Sequence, residues 1–231
     1  MVIISPRRAL LSSALVAVSL ILTSVSRAED EKKVVVIDKK PVQVERKTFD
    51  PKAPPADMPK LEPHEAAITR YQFSWASNVA YSVSKLEDGG STTCSATVET
   101  LNVTIGLQVV IWLPENATPK LRAHEEGHRE IAEMYYEGAE TIAEQVAAPI
   151  VAKPYIATGG DCDAKIKSAM DAAINKAGER WIDAVTSPAG RVEDIFDELT
   201  DHGRKLMLTE KDAIAQSVDR YEKEQRKKKA K

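Results

Sequence analysis

The sequence predicts an α+β fold, a small antiparallel sheet followed by three or four helices, and three patterns carry that expectation. Leu101, Val103, Ile105, Leu107, Val109, Ile111 and Leu113 occupy every second position, the period of a strand with one buried face. From Pro119 onward, apolar and small residues recur at helical spacing instead, through Ile131, Tyr135, Ala139, Ile142 and Val146. Asp88-Gly89-Gly90 marks a turn among the β-patterned segments, and a small antiparallel sheet is their natural product.

Taken in chain order, residues 1–28 read as a signal peptide. Arg7 and Arg8 precede an apolar run from Ala9 to Leu22, and Ser26-Arg27-Ala28 supplies small residues at a cleavage site. The run is shorter than the roughly 20 apolar residues that span a bilayer, which favours export with cleavage over an uncleaved anchor. General secretory and twin-arginine export both fit the arginine pair. The expected location is therefore periplasmic or secreted, with no transmembrane segment after cleavage. Residues 29–64 read as a proline-rich charged linker, since six of the 12 prolines lie there among Lys, Asp and Glu. Only Val34 to Ile37 offers a short strand.

The folded domain is expected over 65–205. Tyr71, Phe73 and Trp75 alternate, a second strand covers Val79 to Val83, and the run from Leu101 to Leu113 makes two strands with a bend near Gly106. Thr118-Pro119 supplies an N-cap and a first-turn proline, opening a helix that runs to about Ala148, before Pro149. A second helix follows Asp161 and Asp163, with Ile166, Met170, Ile174, Ala177, Trp181 and Val185 as its stripe. A third opens at Ser187-Pro188 and stops at the glycine cap Gly203. Residues 206–231 form a helical extension and a basic tail. That tail reads first as a solvated charge run and second as a weak contact with anionic envelope polymers.

Composition narrows the function. A net charge of −3 over 231 residues and 5% aromatics argue against nucleic acid, for want of both a basic surface and a stacking platform. The two cysteines, Cys94 and Cys162, read as one disulfide in an oxidising compartment. Metal binding is the competing reading; neither cysteine sits in a C-x-x-C pair.

The chemistry concentrates at His124, Glu125 and His128. Histidines four residues apart on a helix project from one face and can grip one ion. Glu125 stands beside the first, where its carboxylate can act as general base on a metal-activated water. The pattern points to Zn2+, bound in catalytic sites by three protein ligands. Of the 4 histidines, His64 lies in the proline-rich arm with nothing to fix it, which leaves His202 as the expected third ligand. On an ideal helix Asp197 lies about 140° from His202, so a neighbouring carboxylate is expected to orient His202, with Asp197 the alternative ligand.

Cys94, the alternating strands, His124-Glu125-Glu126-Gly127-His128, Cys162 and the run Phe196-Asp197-Glu198-Leu199-Thr200-Asp201-His202-Gly203 resemble the bacterial family of predicted secreted zinc-dependent proteases, catalogued as a domain of unknown function. The resemblance covers roughly Tyr71 to Arg204. It implies a zincin-like active-site helix carrying His124, Glu125 and His128, and it implies that Asp197, Thr200 and His202 belong to the same site.

The expected activity is that of an exported zinc metallopeptidase acting on peptide or protein substrates. An extended peptide would pair with the strand ending near Leu113. The alternative is a non-catalytic metal- or partner-binding envelope protein with a vestigial motif.

Overall fold

The computed structural model describes residues 34–63, 65–204 and 208–230. The expected signal segment 1–28, His64 and the final residue of the basic tail lie outside the described residues. The sheet is built on a long hairpin, β3 (Ile68–Asp88) and β4 (Ser91–Pro114), antiparallel throughout. Gly89 and Gly90 turn it at φ +55° and +85°, a conformation that a side chain disfavours. The segments expected as separate strands are therefore continuous. Between Tyr71 and Val83 the interruption is only a register shift at Ala80/Tyr81. Gly106 does not divide the strand: a β-carbon there would meet Ser74 Oγ at 2.7 Å, so the glycine answers to a close neighbour on β3.

The sheet is not the small antiparallel one expected. It has five strands, and both β1 (Val35–Lys39) and β2 (Gln43–Phe49) run parallel to β4. β5 (Tyr155–Thr158) adds antiparallel pairing to Thr93–Ala96. Because β3 fills one edge of β4, the other edge is shared end to end by β5, β1 and β2. A third of the segment expected as a linker, 12 of 36 residues, is thus sheet. Val35, Ile37, Val42 and Val44 pack on the core, and Pro41 falls in the break between β1 and β2, where its missing N–H removes no ladder bond. Prolines set the average character of 29–64, but the apolar residues between them decide its fate.

Among the described residues three helices pack on the sheet and a fourth packs on two of them. α1 (Pro119–Glu137) is capped by the Thr118 hydroxyl, which accepts from Leu121 N at 3.1 Å. The helix expected to reach Ala148 divides at Gly138, and α2 (Ala139–Val151) carries Pro149 inside it. The two helices expected after Asp161 are one, α3 (Cys162–Thr200), which runs straight through Pro188. Its stripe of Trp181, Val185, Ala189, Val192 and Phe196 is buried without interruption across the proline, so packing outweighs the lost helix hydrogen bond. α4 (Glu210–Lys229) packs Ala213 near Ile131, Val192 and Phe196. The alternating β4 residues Leu101 to Ile111 form the floor of the core, all at 2% exposure or less. Cys94 and Cys162 are disulfide-bonded, joining β4 to the start of α3. Among the described residues no helix is long and apolar enough to cross a membrane.

Candidate metal centre

α1 and the last turns of α3 face each other and supply the site. Glu193, Phe196, Asp197 and Thr200 stand at i, i+3, i+4 and i+7, one face of α3. Opposite them, His124 and His128 stand one turn apart on α1. Phe196, fully buried, stacks on the His124 ring at 5.0 Å with planes 7° apart and meets His128 edge-on at 5.2 Å. That approach requires Gly127, where a β-carbon would come within 2.5 Å of Phe196 Cζ. Gly203, at φ +77°, lets the chain leaving α3 close on His124, where a β-carbon would sit 2.9 Å from the His124 side chain. On the outer side of α1, Arg46 of β2 holds Glu126 through two hydrogen bonds of 2.6 and 2.9 Å, which ties the helix to the sheet.

Three atoms converge. His124 Nε2 and His128 Nε2 are 3.2 Å apart, and Asp197 Oδ1 lies 3.3 Å from the first and 3.2 Å from the second. Ligands about 2.05 Å from a tetrahedral zinc ion stand about 3.3 Å from one another, the edge of this triangle. On His124 the hydrogen-bond pattern also leaves a lone pair pointing inward. Thr200 Oγ1 donates to Phe196 O at 2.7 Å, so its contact with His124 Nδ1 at 3.4 Å requires Nδ1 to carry the proton and leaves Nε2 bare. His128 turns Nδ1 toward Glu193 Oε1 at 3.6 Å, and Glu193 in turn accepts from Tyr71 Oη at 3.0 Å. Asp197 Oδ1 is buried with no hydrogen-bond donor assigned to it. His124, His128 and Asp197 therefore form a group that could hold a metal ion.

Electrostatics agree with a site that wants positive charge. Burial works to lower the His128 pKa, but the facing carboxylates of Asp197 and Glu193 outweigh it and push it up to about 10. Burial raises the Asp197 carboxyl, yet the two histidines hold it well below the usual carboxylate range. A proton among the three atoms, or an ion in its place, relieves the convergence of lone pairs.

Glu125 is 4% exposed, and its Oε2 accepts from Thr69 Oγ1 of β3 at 2.7 Å. Burial raises its pKa, against the pull of the two histidines and Thr69. A cleft of about 170 Å³ opens over this group, walled by Glu65 to Arg70 on one side and by α1 and α3 on the other.

The expected third ligand, His202, lies on the cleft wall with Nδ1 3.7 Å from Asp197 Oδ1, and it is Asp197 that closes the triangle. The wheel that separated Asp197 from His202 assumed a helix reaching Gly203. α3 ends at Thr200, and Asp201 and His202 both adopt left-handed conformations, at φ 52° and 50°. Those two residues fold His202 back beside Asp197. Thr200 stands beside His124, its Oγ1 3.4 Å from Nδ1. Glu193, Tyr71 and Thr69 were missed. The first was legible one turn before Asp197; the other two lie on a strand with no local signal of a site. The strand ending near Leu113, expected to receive a peptide, is central, with both edges taken. Among the described residues the outer edge of β3 has no strand partner, and its first residues line the cleft.

Comparison of the chain with protein-family models, with curated proteins and with solved structures finds no match.

Proposed function

We propose that this chain is an exported zinc-dependent metallopeptidase, with His124, His128 and Asp197 holding the ion and Glu125 as general base. One observation carries the reading: the triangle of His124 Nε2, His128 Nε2 and Asp197 Oδ1, 3.2 to 3.3 Å on a side and sized for zinc, beside a buried carboxyl. The donor set of nitrogen and oxygen fits zinc, and three protein ligands leave a fourth position open, as catalytic sites require. The resemblance of the His-Glu-x-Gly-His motif to the predicted secreted zinc-dependent proteases points the same way.

Zinc, when bound, acidifies a water and polarises a carbonyl. The rest falls to the chain. Thr69 holds Glu125 Oε2, leaving Oε1 to take the proton from the attacking water and pass it to the leaving amine. Thr200 keeps His124 in the tautomer that presents Nε2, and Glu193 faces Nδ1 of His128. The unpaired outer edge of β3 offers an extended peptide the backbone pairing that β4 cannot.

Purified protein is expected to hold one zinc per chain and to cleave an unstructured protein, and Glu125→Gln should abolish cleavage with zinc retained. If Glu125→Gln cleaves like the parent, the mechanism is wrong.

A further inference from the structure

Next to the metal cleft lies a second cavity of different character, about 440 Å³ and dominated by apolar groups. Phe49, Pro54, Pro55, Met58, Pro59 and Leu61 are among the residues of its wall. Glu65 and Ala66 line both spaces, so the two adjoin across the two-residue approach to Ile68. The metal cleft is smaller and its walls carry His, Glu, Asp and Arg side chains, so a large apolar side chain is not accommodated there.

The pocket is built rather than accidental. Its floor is an apolar cluster, separate from the main core, in which Met58 and Leu61 pack on buried Phe49, Ile68 and Trp112. Lys47 lies 4.6 Å over the Trp112 ring and pairs with Asp57 at 3.3 Å, holding the arm against the sheet. Turns closed by Ala53 N to Asp50 O at 3.0 Å and Met58 N to Pro55 O at 3.1 Å fix the wall between. Proline rings have little freedom to lose, so a ligand meets a surface already in shape.

We infer that this proline-walled pocket is the specificity site of the enzyme: it takes a large apolar side chain, aliphatic or aromatic, of the peptide whose adjacent carbonyl lies at the metal. This rests on the metallopeptidase reading and adds the substrate class, peptides with a bulky apolar residue beside the scissile bond. The occupant follows from continuity: a chain lying along Ile68–Arg70 passes Glu65 and Ala66, the shared wall of both cavities. An apolar pocket rewards each added methylene, and one or two of them discriminate on the order of tenfold or more.

The test uses amino-acid hydroxamates on the zinc-loaded full chain, because the hydroxamate grips the metal identically while the side chain varies. Titration calorimetry should find N-acetyl-leucine and N-acetyl-phenylalanine hydroxamates about tenfold or more tighter than the serine analogue. Met58→Asp should erase that preference while leaving zinc content and serine-hydroxamate affinity unchanged. Pro55→Asp, at an exposed position on the rim, should do the same without disturbing the floor. If zinc and all the hydroxamates bind but with equal affinity, or if the preference survives both substitutions, the pocket is not the specificity site and the metallopeptidase reading stands. If no zinc binds, both fall.

Discussion

The ring of Phe196 occupies the space that a β-carbon on Gly127 would take, 2.5 Å from its Cζ. The glycine in His-Glu-x-Gly-His is therefore the point at which α3 presses its last turns onto α1, bringing Asp197 to the histidines. Gly127→Ala should push Phe196 away and cost about 1–3 kcal/mol, the usual range for overpacking. Metal affinity should fall with it, because the displaced helix carries a ligand. Thermal melting and zinc titration of the variant check both effects; unchanged values in both would show that the contact does not position the ligand.

Asp197→Ala should remove stoichiometric zinc, whereas His202→Ala should leave one ion per chain. Elemental analysis of the two proteins separates them. Loss of zinc from His202→Ala with retention in Asp197→Ala would reverse the ligand assignment.

Thr200→Val keeps the shape of the side chain but removes the acceptor for His124 Nδ1. The imidazole then loses the partner that fixes its tautomer, and zinc affinity should drop roughly 10- to 100-fold. Competition with a chelator of known affinity measures the change.

Thr69→Val should leave zinc in place and alter only the base. The Thr69 hydroxyl stabilises the ionised Glu125 carboxylate and so lowers a pKa that burial raises. Without that bond the pKa climbs further, and the base is lost to protonation at a higher pH. The acidic limb of the cleavage profile should move upward relative to the parent, and a limb that stays or moves down would contradict the role given to Thr69.

The disulfide lies at the end of α3 remote from Asp197. Replacing Cys94 and Cys162 with alanine opens a loop spanning 68 residues and should cost about 4 kcal/mol on the chain-entropy account. Zinc content of the protein that remains folded should be unchanged. Melting curves and metal analysis of the double variant check the two halves of that statement.

How much of this was legible in the residues follows from which forces acted locally. His124, Glu125 and His128 were readable because helical spacing alone puts two imidazoles on one face. The Gly89-Gly90 turn was readable because only the backbone there decides. The angle between Asp197 and His202 was not legible, because it depends on where α3 stops, and two residues in left-handed conformations reset the geometry. Pro188 suggested a helix start, but its cost was outweighed by a buried stripe that only the assembled core reveals. Likewise Val35, Ile37, Val42 and Val44 look isolated among prolines until the free edge of β4 is in place to receive them. Thr69 and Tyr71 share one face of β3, but the alternation that puts them there does not say which helix residues they meet.

The two occupied edges of β4 have a bearing on solubility. A 24-residue strand whose second half alternates Leu, Val and Ile from Leu101 to Leu113 is the kind of segment that templates pairing between molecules when an edge lies open. β1 and β2 lie along that edge, and Lys39, Arg46 and Lys47 set positive charge among them. Proteolytic trimming through residue 49 would therefore do more than shorten the amino-terminal arm. It would uncover a ready seed for fibrous association, so β1 and β2 also serve to keep β4 from finding its own copy.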